Sequence, residues 1–251
     1  MSFDVSADAY TRFMGRYSEP LAVAFADLAG VRRGQRALDV GCGPGALTAE
    51  LASRLGCDAV CAVDPSESFA AAVRERCAGV DVRLSAAERL PFPHGAFDVT
   101  LAQLVVHFMT SPVAGLREMA RVTRAGGVVA ACVWDHGGGR SPLTTFWRAA
   151  RDLDPSARDE SDLAGVSEGH LAKLFGQAGL GVAHATALTV RVRHATFEQW
   201  WTPFTLGAGP AGAYVASLAD EHRSALRERC RQLLLPPIQV NAAAWAVTGR
   251  R

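Results

Sequence analysis

The chain has 251 residues, of which 49% are hydrophobic and 20% charged, and 26 basic residues nearly balance 25 acidic ones, for a net charge of +1. This composition excludes an intrinsically disordered chain and is typical of a globular protein with a sizeable core. The near-neutral charge, without blocks of like charge, argues against nucleic acid or a membrane surface as the main partner. The sequence carries no signal for an oligomeric state.

Targeting signals and cysteines indicate the compartment. The first ten residues lack the basic and apolar segments of a secretory signal, and no apolar run approaches the roughly 20 residues that span a bilayer. The expected compartment is the cytoplasm, where thiols stay reduced. The cysteines are irregularly spaced and form no Cys-x-x-Cys pair, so we predict neither disulfides nor a metal site. They are Cys42, Cys57, Cys61, Cys77, Cys132 and Cys230.

The first half of the chain alternates short apolar runs with amphipathic stretches, a pattern that predicts βα units on a parallel sheet. Strands are predicted near residues 36–40, 59–63, 82–84, 97–101 and 128–134, and helices over 46–55, 66–77 and 113–123. The run Ala125-Gly126-Gly127 is predicted to end the third helix. Later in the chain, helices are predicted over 142–153, 163–178 and 213–234, with strands near 187–192 and 238–247.

The strongest local signal is a glycine-rich turn between the first strand and the first helix, in residues 37–48 (ALDVGCGPGALT). Gly41, Gly43 and Gly45 let the backbone turn sharply and let a ligand approach it closely. Asp64 ends the second predicted strand and is followed by Pro65 and Ser66. In nucleotide-binding α/β folds, an acid at this position accepts hydrogen bonds from ribose hydroxyls.

Two cofactor classes fit this turn, because Gly41-x-Gly43-x-x-Ala46 also satisfies the loose dinucleotide fingerprint. Pro44 has no N–H to offer a pyrophosphate, and Asp39 places a carboxylate beside the turn, where a phosphate is disfavoured. Both residues suit S-adenosylmethionine, which has no phosphate and carries an ammonium and a sulfonium. The pattern therefore favours a sulfonium nucleoside over a nicotinamide dinucleotide.

With three later segments, the sequence resembles the class I S-adenosylmethionine-dependent methyltransferases, particularly the small-molecule branch that includes the ubiquinone and menaquinone biosynthesis C-methyltransferases. These segments are residues 85–92 (SAAERLPF), 97–108 (FDVTLAQLVVHF) and 117–127 (REMARVTRAGG), and the resemblance covers about residues 10–135. It implies an α/β fold with a Rossmann-like, mostly parallel seven-stranded sheet, helices on both faces and a helical cap. The implied parts are amino-terminal lid helices in residues 1–30, a cofactor-binding core in 31–135, and a carboxy-terminal part in 136–251 that holds inserted helices, an acceptor-site cap and the last strands.

The resemblance implies methyl transfer from S-adenosylmethionine, with S-adenosylhomocysteine as product, to a small, apolar or aromatic acceptor. Asp64, with Pro65 and Ser66, would bind the ribose end, and Gln103 would close the fourth strand over the cofactor. Ala87 and Glu88 would lie along the adenine. A second interpretation of Glu88 is a solvated acid in a loop.

The aromatic amino-terminal segment has two interpretations. In the family that the sequence resembles, such segments fold over the methionine end of the cofactor, so Tyr10, Arg16 and Tyr17 are candidates for this role. Arg16 could pair with the carboxylate of the cofactor while the rings exclude water. Alternatively, the segment is a helix that docks its apolar side on the sheet.

Methyl transfer from a sulfonium mainly needs alignment of donor and acceptor, so a catalytic base is optional. His107 is the candidate base because it follows the fourth strand, at the edge where ligands bind. The alternative is a structural histidine that caps the next turn, and His136 is a reserve candidate. Aromatic residues from position 134 onward could line the acceptor pocket or form the core of the carboxy-terminal part. They are Trp134, Phe197, Trp200, Trp201 and Phe204.

Two other functions remain open at this point. One is a nicotinamide-dependent oxidoreductase, which Asp39 and Pro44 disfavour. The other is a protein that binds S-adenosylmethionine and acts as a regulatory or assembly partner without turnover.

Overall fold

A seven-stranded sheet with strand order β3-β2-β1-β4-β5-β7-β6 forms the centre of the molecule. The computed structural model describes residues 6–251, so residues 1–5 of the predicted lid lie outside the described residues. The strands are β1 Ala37–Val40, β2 Val60–Asp64, β3 Asp81–Leu84, β4 Phe97–Gln103, β5 Thr123–Trp134, β6 Gly181–Arg193 and β7 Gln239–Arg250. Strands β1 to β5 pair in parallel, and β7 runs antiparallel between β5 and β6.

Helices cover both faces of this sheet. They are α1 Ala7–Tyr10, α2 Arg16–Leu28, α3 Ala46–Leu55, α4 Glu67–Arg76, α5 Pro112–Val122, α6 Thr144–Leu153, α7 His170–Gln177, α8 Phe197–Trp201, α9 Gly209–Ser217 and α10 Asp220–Leu233. A π-helical turn, Thr11–Gly15, joins α1 to α2. No helix within residues 6–251 is long and apolar enough to cross a lipid bilayer.

Side chains of the parallel strands alternate between two buried clusters, one on each face of the sheet. In β1, Ala37 belongs to the cluster that contains α2 and α3, while Leu38 belongs to the cluster that contains α5 and α7. In β5, Cys132 belongs to the first of these clusters and Val133 to the second. Strands covered on both faces need apolar residues at successive positions. This requirement explains the continuous apolar runs in the first half of the sequence.

The predicted α/β class, the mostly parallel sheet and the helices on both faces are confirmed, and the predicted helix over residues 46–55 has the observed bounds of α3. Two predicted helices were wrong in extent. Residues 213–234 form two helices, because Leu218 between them has extended backbone (φ −81°, ψ 141°). The helix predicted from 163 begins only at His170, after Gly165 and Gly169 adopt positive φ angles of 81° and 71°.

The junction after α5 also differs from the prediction. The helix ends at Val122 and β5 begins at Thr123, so Ala125-Gly126-Gly127 lies inside the strand and does not end the helix. The Thr123 hydroxyl donates to the carbonyl of Met119 at 2.7 Å, and it also bonds the Thr100 hydroxyl at 2.8 Å. These bonds tie the last turn of α5 directly to β4 and β5.

The aromatic residues of the carboxy-terminal part form a packed core. Phe146 is fully buried, and its ring stacks on Phe204 with centroids 4.6 Å apart and planes 3° apart. Trp201 and Tyr214 contact the same ring at centroid distances of 6.5 and 6.3 Å. Of the two interpretations of these aromatic residues, the structure therefore supports the carboxy-terminal core.

Truncation of Phe146 should test this core. We expect Phe146→Ala to lower the free energy of unfolding by about 3–5 kcal/mol, because a large buried ring is replaced by a cavity. Phe146→Leu, which refills part of that volume, should cost clearly less. Chemical denaturation of both variants measures the difference, and a loss below about 1 kcal/mol for Phe146→Ala would contradict the packing described here.

Candidate functional site

A pocket of about 300 Å³ lies at the carboxyl ends of β1, β2 and β4. The order of the strands reverses between β1 and β4, which is where open α/β sheets bind ligands. The residues predicted from the sequence that line this pocket are Tyr10, Asp39, Gly41, Gly43, Asp64, Pro65, Ala87, Glu88 and Gln103. Residues from all three strand ends and from the amino-terminal segment therefore meet in one cavity.

The glycine turn forms the floor of this pocket. Gly41 has a φ of +69°, and a Cβ at this position would lie 2.3 Å from Cγ2 of Val105. The N–H groups of Gly41 and Cys42 both donate to the carbonyl of Val63, at 2.8 and 3.0 Å. Only glycine satisfies the backbone angle and the close packing together. The predicted need for glycine at this turn thus has a steric cause at position 41.

Asp64 ties the glycine turn to the end of β2. One carboxylate oxygen, Oδ2, accepts from Gly43 N–H at 2.9 Å, and Oδ1 accepts from Ser66 N–H at 2.9 Å. Burial raises the pKa of Asp64, and these two hydrogen bonds partly oppose that effect. Because each carboxylate oxygen has two acceptor positions, Asp64 can still accept from a diol in the pocket.

Two other pocket residues carry buried oxygen atoms without a hydrogen-bond partner among residues 6–251. Asp39 is fully buried; Thr48 Oγ1 donates to its Oδ2 at 2.7 Å, and its Oδ1 has no partner. Gln103 donates from Nε2 to the carbonyl of Ser18 at 3.0 Å, and its Oε1 has no partner. Burial raises the pKa of Asp39 to about 7. Buried acceptors of this kind require a donor, and a cationic donor is the strongest complement.

At the opposite end of the pocket, Ala87 and Glu88 follow β3. Ala87 is buried and Glu88 is half-buried. Glu88 Oε1 accepts from the N–H of Ser111, the residue that precedes α5, at 3.0 Å. This bond holds the loop after β3 against the start of α5. A small residue next to a fixed carboxylate leaves room for a flat base that carries an amino group.

Four residues predicted to bind the cofactor do not line the pocket. Tyr17 points to the carboxy-terminal half, where its hydroxyl lies 2.9 Å from Nε2 of His194, and burial raises its pKa. Arg16 is exposed and lines outer cavities with Arg12 and Gln199. The first turn of α2 therefore directs both side chains away from the glycine turn, toward the carboxy-terminal half.

The other two corrections concern residues that support the turn. Gly45 caps α3 with a φ of +89°, so it shapes the start of the helix. Ser66 acts through its backbone N–H on Asp64, while its hydroxyl lies 3.1 Å from that of Ser68. Both residues position the binding groups and do not line the pocket themselves.

A second, smaller cavity of about 30 Å³ adjoins the first and shares Tyr10, Leu104 and Phe108 with it. We call this cavity the inner chamber. Its other lining residues are Phe13, Met14, His107, Trp134, His136, Leu143, Glu160, Gly209 and Pro210. Leu104, at the boundary, has a φ of +62°, and its N–H donates to the carbonyl of Cys132 at 2.8 Å. Such a backbone costs on the order of 1–3 kcal/mol for a bulky residue, and strained positions of this kind cluster at functional sites.

His107 lies in the wall of the inner chamber, on the single turn Val106–Phe108. It is buried, and its Nδ1 has no hydrogen-bond partner among the described residues. Burial, with a smaller contribution from His136, lowers the pKa of His107 well below the usual range. The two imidazole centroids lie 6.0 Å apart. His107 is therefore a neutral imidazole at neutral pH.

Of the aromatic residues predicted for an acceptor pocket, Trp134 lines the inner chamber. Trp200, Trp201 and Phe204 do not, because they are buried against one another and against Phe146 in the carboxy-terminal core. Trp200, for example, is only 2% exposed. Trp200 and Phe204 line a separate small cavity with Phe13 and Leu143, and their role in binding an acceptor stays a prediction.

Sequence reasoning missed several residues of the two cavities. Ser18, Leu104 and Phe108 line the pocket but were not singled out, although each is next to a predicted site residue. Glu160 lies in the stretch 154–162 (DPSARDESD), whose composition is typical of a solvated loop, yet the residue is only 3% exposed. No periodicity in the sequence distinguishes Glu160 from its acidic neighbours.

Comparison with known proteins agrees with this site. A family model described as a methyltransferase domain matches residues 38–131, which include Asp39, the glycine turn, Asp64 and Gln103. The chain is 33% identical over 110 residues to an uncharacterized methyltransferase of Schizosaccharomyces pombe, covering 39% of this chain and 40% of that protein. It is 39% identical over 101 residues to demethylmenaquinone methyltransferase of Beutenbergia cavernae, covering 40% of this chain and 41% of that protein. The matches thus span about two fifths of each relative.

One solved structure resembles the fold of this protein over most of the chain. It is geranyl diphosphate C-methyltransferase from Streptomyces coelicolor in complex with Mg²⁺, geranyl diphosphate and S-adenosyl-L-homocysteine. The TM-score is 0.56 at 16% identity, covering 94% of this chain and 80% of that one. The chain therefore contains a methyltransferase domain match over residues 38–131, and together with the glycine turn, Asp64 and the strand order this match supports a class I S-adenosylmethionine-dependent methyltransferase.

Proposed function

We propose that this protein transfers a methyl group from S-adenosylmethionine to a small acceptor that is apolar or aromatic around its reacting group. The observation that carries the proposal is the direct contact between the two cavities: the pocket on the glycine turn shares Tyr10, Leu104 and Phe108 with the inner chamber. When bound, S-adenosylmethionine supplies an electrophilic methyl group on a sulfonium. The chain has to align an acceptor with that group and keep water away.

The pocket residues fit this cofactor. Asp64, fixed by Gly43 and Ser66, would accept from the ribose hydroxyls. The unpartnered oxygens of Asp39 and Gln103 would accept from the ammonium of the methionine end. Ala87 and Glu88 would lie along the adenine, and the ring of Tyr10, 5.4 Å from that of Phe69, would cover the pocket.

The inner chamber fits the reacting group of an acceptor. Its walls include Phe13, Met14 and Leu143, all buried, which excludes water from the reacting group. His107 places a neutral imidazole in the same wall, where it could hydrogen-bond the acceptor or take a proton from it. The predicted helical cap over this region and the cytoplasmic location remain part of the proposal.

The two alternative functions fit less well. Asp39 and Pro44 both line the pocket, so a nicotinamide dinucleotide would place its pyrophosphate beside a buried carboxyl and a residue without an N–H. A binding protein without turnover has no need for a second cavity whose wall carries buried, unpartnered polar groups. Methyl transfer accounts for both cavities.

Asp64→Ala should abolish cofactor binding. We expect the dissociation constant for S-adenosylhomocysteine to rise by about 100-fold or more, because hydrogen bonds to a charged group contribute about 1.5–3 kcal/mol each. Calorimetric titration measures this change, and Asp64→Asn serves as a milder variant. The matched control is Asp58→Ala, an exposed acid just before β2. Undiminished binding to folded Asp64→Ala, or binding of NADH in place of S-adenosylhomocysteine, would contradict the proposal.

Binding should also depend on pH through Asp39. Since burial raises the pKa of Asp39 to about 7, the carboxyl holds a proton below that pH and cannot pair with the ligand's ammonium. The affinity for S-adenosylhomocysteine should therefore fall as the pH drops below about 7, by up to tenfold per pH unit. Asp39→Asn should bind weakly with little pH dependence in the same calorimetric titrations. An equally steep pH dependence in folded Asp39→Asn would assign the effect to another group, such as Asp64.

A further inference from the structure

Three residues that line the inner chamber carry buried polar atoms that lack hydrogen-bond partners among residues 6–251. They are Nδ1 of His107, Nε1 of Trp134 and Oε2 of Glu160. Three residues from distant parts of the chain contribute them: the end of β4, the end of β5 and the segment between α6 and α7. An unpaired polar group in a buried cavity costs about 1–3 kcal/mol, so three around one cavity indicate a polar ligand group there.

The donor and acceptor properties of these atoms specify the ligand group. The indole N–H of Trp134 can only donate, so the ligand must accept a hydrogen bond. The carboxylate of Glu160, when ionised, can only accept, so the ligand must also donate. A hydroxyl group does both with one oxygen atom. A protonated amine cannot accept from Trp134, whereas a carboxylate or phosphate cannot donate to ionised Glu160.

The charges of the residues that line the chamber also disfavour an anionic ligand. Among the described residues, those lining it include no arginine or lysine, and Glu160 is the carboxylic acid in its wall. An anionic acceptor would find no counter-charge and would be repelled by Glu160. The chamber volume of about 30 Å³ holds a hydroxyl-sized group. The body of the acceptor therefore has to displace wall residues such as Phe13 and Met14.

Several ionisable groups surround Glu160. Nδ1 of His136 lies 4.0 Å from Oε2, beyond hydrogen-bond distance, and burial lowers the pKa of His136 to about 4, so this imidazole is neutral and does not pair with the acid. Burial raises the pKa of Glu160 to about 7, and the charge of Asp159 adds a smaller rise, whereas the backbone N–H of Glu160 and the side chain of Trp147 oppose that rise. Asp159 itself pairs with Arg151, and Tyr10 and His107 face the chamber from the other elements. Among the carboxyl and imidazole groups of the chamber, Glu160 has the highest pKa.

We propose, on the basis of the methyl transfer proposed above, that the acceptor is an uncharged molecule with a hydroxyl group in the inner chamber and that Glu160 takes the hydroxyl proton. The hydroxyl oxygen forms the new bond to the methyl carbon, and the carbon–sulfur bond breaks with its electron pair remaining on sulfur. The hydroxyl proton passes to the Glu160 carboxylate, so the product is a neutral methyl ether. In this proposal, Trp134 N–H donates to the reacting oxygen, and His107 lines the same chamber.

The test uses 4-nitrophenol as the probe, because its phenolate absorbs visible light and its phenol does not. The full-length protein is first saturated with S-adenosylhomocysteine at a pH slightly above the value of about 7 to which burial raises the pKa of Glu160, so that this carboxyl is mostly ionised. The spectrum of the free probe at the same pH is subtracted. We expect a phenolate band to appear on binding to the wild type and to fall at least tenfold in Glu160→Gln. Asp162→Asn, an exposed acid on the same segment, is the matched control and should keep the band.

A further variant, a second probe and the binding of S-adenosylhomocysteine itself distinguish the possible outcomes of this test. Loss of the band in His107→Asn with its retention in Glu160→Gln would assign the proton to His107 and overturn the proposal. Stronger binding of 4-nitrobenzoate than of 4-nitrophenol would overturn the acceptor class. Absence of S-adenosylhomocysteine binding to the wild type would instead contradict the proposed function itself, before any probe is added.

A second measurement needs no variant, so it does not depend on the folding of Glu160→Gln. The infrared difference spectrum of the wild-type protein, recorded on addition of 4-nitrophenol, should show one carboxylate becoming a protonated carboxyl group. A spectrum in which the phenolate forms with no gain of a protonated carboxyl would overturn the assignment to Glu160.

Discussion

The site depends on the two hydrogen bonds that the Asp64 carboxylate accepts from Gly43 and Ser66. They connect the turn after β1 to the turn after β2, so that both strand ends present backbone and side-chain groups to one cavity. Together with the bonds from the N–H groups of Gly41 and Cys42 to the carbonyl of Val63, this connection fixes the glycine turn relative to the second strand. The same carboxylate faces the pocket, so one side chain both organises the turn and offers acceptors to a ribose.

Acids buried around the two cavities are held without cationic partners. Burial raises the pKa of Asp39 and of Glu160 to about 7 in each case, and it also raises that of Asp64. Such groups destabilise the empty protein relative to apolar residues of the same size, and binding of a cation or a proton donor relieves that cost. The positive φ of Leu104 adds strain at the boundary between the cavities. Stability is therefore lowered where the ligands are expected to meet.

The sequence was most informative where local chemistry determines structure. A glycine-rich turn after a strand and an acid at a strand end can be recognised from short segments, and Asp39, Gly41 and Asp64 all line the pocket. Features that depend on tertiary packing could not be read in this way. Arg16 and Tyr17 were assigned to the cofactor, but their side chains face the carboxy-terminal half, a direction that the sequence alone does not specify. Glu160 looked solvated, because nothing local shows that its loop folds against the end of β5.

In the proposed complex, the cofactor's sulfur faces the inner chamber while its amino-acid end reaches Asp39 and Gln103. A crystal structure of the complex with S-adenosylhomocysteine tests this arrangement most directly. We expect the ribose on Asp64, the ammonium within hydrogen-bond distance of Asp39 and Gln103, and the sulfur beside Leu104 at the chamber. A complex with the amino-acid end beside Glu88, or with the sulfur directed away from Leu104, would contradict it.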